Sequence, residues 1–311
     1  MKDIYERISE LCKSQASFAL LFALILYFLS LSLILPVILG LTVGIWGGDI
    51  YELQSLLAGN LEAFPGGEYL FRLVQVENQL FTWGFVALLM AALLGKPKEV
   101  LKVDKSPEAM DLLLPALMLI LIIPLIQLTY IPADSFQLPE FMKDMEESMR
   151  LREEQSQKVL MELFSDPGIG ILVLNILVFA VVPAFFEEFL FRGIIQQQLA
   201  KNLSPHWAII ISAAIFSFIH FQFYGFFGRM ILGMVLGYFL YYSGSLWPSI
   251  LAHFAYNAFS IFLTWLAAAR GLMDTDITQD SYQFPTSLLL FSILSVGVLM
   301  FLYLRRQRIA Q

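Results

Sequence analysis

Eight stretches of this chain are apolar over lengths that approach or exceed the thickness of a bilayer: 16–39, 80–94, 112–130, 169–190, 207–224, 226–242, 246–269 and 287–304. A helix needs about 20 apolar residues to cross the hydrocarbon core. The backbone must satisfy its own hydrogen bonds there, and a helix does so within one segment. The pattern predicts an all-α polytopic membrane protein with about eight transmembrane helices. Composition agrees, since the 311 residues are 58% hydrophobic and 14% charged, against about 45–50% and 25% in soluble domains. A disordered chain, a nucleic-acid binder and an ordinary soluble enzyme are excluded. The net charge of −7 offers no basic surface to nucleic acid or anionic lipid. The single cysteine, Cys12, rules out an internal disulfide.

The first run is too long for the core of a signal peptide and has no small-residue cleavage pattern, so it is read as a retained helix. The run at 80–94 is short, which implies an earlier start. Pro36, Pro115, Pro124 and Pro183 interrupt the apolar runs, which membrane helices tolerate when neighbours satisfy the backbone. With eight crossings the termini share one side. That side carries 12 Lys and Arg and the other carries 7, so the positive-inside rule predicts a multi-pass protein with both termini in the cytoplasm. Segment 135–166 stands apart. It is rich in Glu, Lys and Met, with Phe141, Met145 and Met149 at helical spacing. Two readings stand side by side: an amphipathic helix lying on the outer leaflet, and a solvated helical excursion.

The ionisable residues inside the apolar runs carry the functional signal. Of 26 Asp and Glu, 24 fall in loops or tails on this reading, and only Glu187 and Glu188 lie within a run. Of three histidines, His206 is at a boundary, and His220 and His253 are inside. A charge at the centre of a membrane helix costs about 2.5–3.5 kcal/mol on the insertion scale, so such residues face a polar interior and mark function. Glu188 and Arg192 are i, i+4 with the acid first, a spacing that pairs them on one helix face. Glu187 is rotated by about 100°, which leaves it for chemistry. The bland alternative puts both glutamates at a membrane edge marked by Arg192. His253 and Asn257 are also i, i+4 and project from one face. Together they can hold a developing oxyanion, or serve as interhelical glue. Phe216 and His220 repeat the spacing on the preceding run but one.

In this order, Glu187-Glu188-x-x-x-Arg192, Phe216-x-x-x-His220 and His253-x-x-x-Asn257 resemble the three motifs of the CPBP intramembrane protease family. That family includes the type II CAAX endopeptidases and the bacteriocin-processing and bacteriocin-immunity proteins. The resemblance covers roughly 169–264. It implies a helical membrane fold around a water-accessible cavity, expected here to face the cytoplasm. It implies catalytic roles for Glu187, His220, His253 and Asn257: the first pair activates water and the second holds the oxyanion. Glu188 and Arg192 are implied to be structural support. The chain then divides into 1–168, N-terminal helices plus the acidic segment; 169–264, the catalytic core; and 265–311, the last helix and a basic tail. The expected partners are membrane lipid and a peptide or protein substrate, prenylated CAAX tails included, with no nucleic acid.

Neither a Ser-His-Asp set nor Gly-x-Ser-x-Gly is present, and His-Glu-x-x-His is absent. No cofactor is expected. Zinc held by one Glu and two His is the disfavoured rival to a metal-independent glutamate mechanism. A proton-coupled transporter and a non-catalytic immunity or scaffold protein are the alternatives outside hydrolysis. Depth supplies one further constraint. If the helix carrying Glu187 ended at Arg192, Glu187 would lie about 7 Å inside the edge while His220 lay about 20 Å from it. Extension to about residue 200 puts Glu187 at about 16–18 Å, so that extension is expected, with Gln196, Gln197 and Gln198 lining water.

Overall fold

The computed structural model describes residues 2–63, 65–130, 138–164, 166–272 and 285–310. Among the described residues all regular structure is helical. In chain order the principal helices are α1 (Lys2–Ser14), α2 (Ala16–Ile45), α3 (Ile50–Leu57), α4 (Gly67–Leu94), α5 (Ala109–Leu121) and α6 (Lys143–Phe164), followed by α7 (Ile169–Leu199), α8 (Pro205–Phe218), α9 (Phe226–Ser243), α10 (Trp247–Ala269) and α11 (Thr286–Ala310). Six of them, α2, α4, α7, α9, α10 and α11, are long and apolar enough to cross a membrane. The shorter apolar helices α5 and α8 take the remaining two of the eight expected runs. This is a polytopic, integral membrane architecture.

The short spans have local causes. The run at 112–130 breaks at Ile122 and resumes for one turn, Ile123–Gln127, because Pro124 has no N–H to continue the ladder. α8 stops at Phe218, and residues 219–225 form the connection to α9. α4, by contrast, starts at Gly67, well before residue 80. It therefore takes Glu68 and Glu77 into a helix, correcting the placement of 24 acids outside helical runs. Glu77 is tied down there, its carboxylate accepting from Thr42 Oγ1 at 2.6 Å.

Four stretches widen to π-helical turns: Ser30–Ile34, Gln79–Gly84, Leu177–Val181 and Phe191–Gln196. Pro36 and Pro183 each come just after one of them. A proline clashes with the carbonyl four residues back, and a wider turn relieves that contact while keeping the helix continuous. The last of these turns lies inside α7, which runs on to Leu199, the extension that the depth of His220 demands. Of its glutamines, Gln197 and Gln198 border a cavity of about 300 Å³ with Lys13 and Lys201, and Gln196 does not. Gln196 and Gln198 are buried, Gln196 Nε2 donates to the Gly237 carbonyl at 3.1 Å, and Gln197 Nε2 donates to that of Gly193 at 2.6 Å.

Close helix approach depends on glycine at two places. Arg192 and Gln196, one turn apart on α7, reach the carbonyls of Gly233 and Gly237, one turn apart on α9. A Cβ at Gly237 would stand 2.6 Å from Gln196 Oε1. On the other side a Cβ at Gly84 would meet the Phe186 ring at 2.6 Å, so α4 packs on α7. Apolar clusters join Leu35, Leu56 and Leu70 to Leu172 and Ile261, and Met90 to Phe191 and Phe216. They cross residue 168, and the N-terminal helices are therefore packed directly on the helices that follow it.

α1 docks at the end of α4, with Ser9 Oγ donating to the Leu93 carbonyl at 2.6 Å. Arg306, near the end of α11, pairs with Asp111 at the start of α5 at 2.6 Å. Both chain ends thus lie at the end of the bundle where α7 finishes and α8 begins. α6 lies at the other end, between α5 and the start of α7. It buries Met149, Val159, Leu163 and Phe164, while Phe141 and Met145 are exposed, so the Met and Phe spacing seen in the sequence does not define its packed face. Residues 135–137 and 165 of that segment lie outside the described residues. Ser204→Cys and Glu154→Cys, both at exposed positions, should accordingly react with a membrane-impermeant maleimide from opposite sides. Cys12 is fully buried and gives little background. Labelling of both from one side would overturn this arrangement.

Candidate active site

Glu188 is the centre of the buried polar cluster. It is 0% exposed, and its Oε1 accepts from Arg192 Nη1 at 2.7 Å and from His253 Nδ1 at 2.9 Å. The i, i+4 pair on α7 is present as the spacing predicted. Arg192 is only 1% exposed, so it does not mark a membrane edge. Its second nitrogen donates to the Gly233 carbonyl at 2.9 Å and its guanidinium lies over the Phe216 ring at 4.9 Å. One side-chain network therefore ties α7, α9 and α10 together.

Glu187 is less independent than its rotation suggested. His253 reaches both acids, with Nε2 at 3.9 Å from Glu187 Oε2. The other oxygen of Glu187 accepts from Gln79 Nε2 at 2.8 Å. Gln79, in the π-helical turn of α4, is a site residue that the sequence reading missed. A neutral amide outside the apolar runs gives no hydropathy signal and belongs to none of the three motifs.

The two histidines are held in defined tautomers. His220 Nδ1 donates to the Phe216 carbonyl at 2.6 Å, an acceptor only, so in the neutral ring Nε2 carries the lone pair. No hydrogen bond joins His220 to Glu187, although each lies within the electrostatic range of the other. His253 Nδ1 donates to the Glu188 carboxylate, so its Nε2 becomes a donor only when both nitrogens are protonated. Asn257 Nδ2 donates to the Phe179 carbonyl at 3.2 Å. That carbonyl lies four residues before Pro183, which has no N–H to offer it. Asn257 thus acts as glue through one N–H and keeps a second.

Glu187, His220, His253 and Asn257 line a single cavity of about 380 Å³, and Glu188 and Arg192 do not. The lining continues to Tyr130 beyond α5 and to Glu153, Ser156 and Gln157 of α6. α6 therefore borders the site. A second cavity of about 370 Å³ reaches His220 and Gln222 from the other side of α6. The site cavity extends toward the α6 end of the bundle, away from both termini. Among the described residues no three His, Cys, Asp or Glu side chains gather as a metal-ligand set.

The fold and this cavity define a helical membrane protein with an enclosed carboxylate–histidine site. Residues 169–259 match the family model described as Rce1-like, type II CAAX prenyl endopeptidase Rce1-like, in agreement with the CPBP resemblance of the motifs. The match supports intramembrane endopeptidase activity in general and a peptide or protein substrate. It holds all seven motif residues and leaves Gln79 and α6 outside. No curated protein and no solved structure matches the chain.

Removing one member of a buried ion pair strands the other and costs about 3–5 kcal/mol. Arg192→Gln should therefore lower the thermal unfolding midpoint in detergent sharply. Glu187→Gln, which keeps the shape and removes a carboxylate that makes no hydrogen bond to Arg192 or His253, should lower it far less. Equal losses would remove the distinction between a structural and a reactive glutamate.

Proposed function

We propose that the protein is an intramembrane endopeptidase that hydrolyses a peptide bond by a metal-independent glutamate mechanism. The supporting observation is the sorting of the motif residues: the four with reactive or donating groups to spare face one cavity, and the ion pair that braces them is shut off from it. In this reading Glu187 takes the proton of the attacking water. His220, through the lone pair on Nε2, positions that water and shares the base role. Asn257 offers its remaining N–H to the tetrahedral oxyanion, and His253 adds a second donor when doubly protonated. Glu188 and Arg192 hold His253 and α9 in register, and Gln79 orients the Glu187 carboxylate.

The face on which the cavity opens selects the substrate class. With the termini in the cytoplasm, as the 12 to 7 charge balance supports, the cavity meets membrane peptides from the opposite side. In the reverse orientation it meets cytoplasmic C-terminal tails, prenylated CAAX tails among them.

Cleavage of a quenched-fluorescent peptide panel by purified protein, with and without chelator, tests the reading. Glu187→Gln should abolish turnover while the protein still folds. Loss of wild-type activity on chelation, restored by zinc, would overturn the metal-independent mechanism. Removal of one oxyanion donor costs about 10²–10³ in turnover. Asn257→Ala should lower kcat per folded molecule by about that factor with little change in KM; normal kcat would leave Asn257 a purely structural residue. Gln79→Leu removes one hydrogen bond to a charged group, worth about 1.5–3 kcal/mol, and should lower kcat at least about tenfold. Unchanged kcat would show that Gln79 does not orient the base.

A further inference from the structure

Arg229 is the only Lys or Arg among the described residues lining the site cavity, and the mechanism above does not use it. It lies in the first turn of α9. Its Nη1 donates to Gln222 Oε1 at 3.1 Å and its Nη2 to the Gln222 carbonyl. Its Nε is buried and has no hydrogen-bond partner among the described residues. The two buried arginines of the bundle each meet a carboxylate: Arg72 with Glu68 at 3.7 Å and Arg192 with Glu188 at 2.7 Å. Among the described residues none stands within ion-pair distance of Arg229. Glu153 on α6 acts on it electrostatically, but that carboxylate accepts from Tyr130 at 3.3 Å and Gln157 at 3.5 Å. Arg229 also lies within the electrostatic range of His220. A half-buried guanidinium that shares a cavity with Glu187 and His220 and is hydrogen-bonded only to a neutral residue is a ready partner for an anion.

We propose that Arg229 is the anchor for a carboxylate of the bound peptide, either its C-terminus or an acidic side chain. This rests on the endopeptidase reading and adds a specificity-determining residue to it. The guanidinium fork suits a carboxylate in two-point contact. Fixing that charge beside His220 sets which peptide bond lies over Glu187. Gln222, a neutral partner, yields its bonds without stranding a charge.

The test separates binding from cleavage. A fluorescein-labelled peptide pool with four apolar C-terminal residues is prepared as free acid, as C-terminal amide, and as an amide carrying one Asp. Binding is followed by anisotropy in the Glu187→Gln background, with and without Arg229→Gln. A hydrogen-bonded charge pair of this kind is worth about 1.5–3 kcal/mol, so one carboxylate form should bind about 10- to 100-fold more tightly than the plain amide. Arg229→Gln should erase that preference, and Arg229→Lys, which keeps the charge without the fork, should retain part of it. Preference for the free acid assigns the C-terminus; preference for the Asp form assigns a side chain. Equal binding of all three forms, or a preference that survives Arg229→Gln, overturns the anchor. In cleavage, Arg229→Gln should raise KM for the preferred form and leave KM for the plain amide unchanged. A carboxylate preference without any cleavage by the wild type would sink the endopeptidase reading and leave the anchor standing. Cleavage indifferent to the carboxylate would do the reverse.

Discussion

The carboxylate of Glu188 holds the core together. It is fully buried and accepts from a cation on its own helix and from an imidazole on another. Helices in a bilayer gain little from apolar contact with one another, since lipid is as apolar as leucine. Polar bonds between helices therefore set position more strongly here than in a soluble core. Glu188 alone would be prohibitively placed, and Arg192 alone equally so. As a pair they are tolerated, and the remaining donors of Arg192 go to Gly233 on α9. The orientation of His253, and so the floor of the cavity, is set by this cluster.

Backbone irregularity gives that cluster its room. The π-helical turns on both sides of the two glutamates, Leu177–Val181 and Phe191–Gln196, each insert an extra residue into α7 and rotate the next turns of the helix about its axis. Pro183 leaves the Phe179 carbonyl without its usual donor, and Asn257 fills the place. In α4 a third such turn presents Gln79 to Glu187, where the missing side chain of Gly84 admits Phe186. A strictly α-helical bundle would carry the same residues on different faces.

Much of this is legible from spacing and cost. Two acids and two histidines inside apolar runs announce a polar interior, because lipid tolerates them nowhere else. The i, i+4 rule pairs Glu188 with Arg192, and depth arithmetic extends α7 past Arg192. Other features carry no such signal. Gln79 is neutral and lies where hydropathy is middling. α6 mixes charge with Met and Leu in a pattern that reads equally as surface or interface, and only its packing places it beside the cavity. Span counting puts the termini on a common side but says nothing of the end to which a polar face opens. That depends on where α5 and α8 stop, and a break at Ile122 or Phe218 is decided by tertiary contacts.

Hydrogen-bonding capacity then separates structure from chemistry among groups of the same type. Gln196 lies away from the cavity, its amide given to Gly237, and Arg192 is likewise committed to Glu188 and Gly233. Glu187 has one oxygen fixed by Gln79 and the other turned toward His253 without a hydrogen bond. His220 has one nitrogen fixed and the other carrying a lone pair. Asn257 has one N–H fixed and one left. Each is anchored at one atom and unspent at another, which is what a reacting group needs: orientation without saturation. Arg229 shares the same pattern with the opposite charge, held by Gln222 and unsatisfied at Nε. The cavity is thus lined by Glu187, His220, His253, Asn257 and Arg229 together, while Glu188 and Arg192 are closed off behind them.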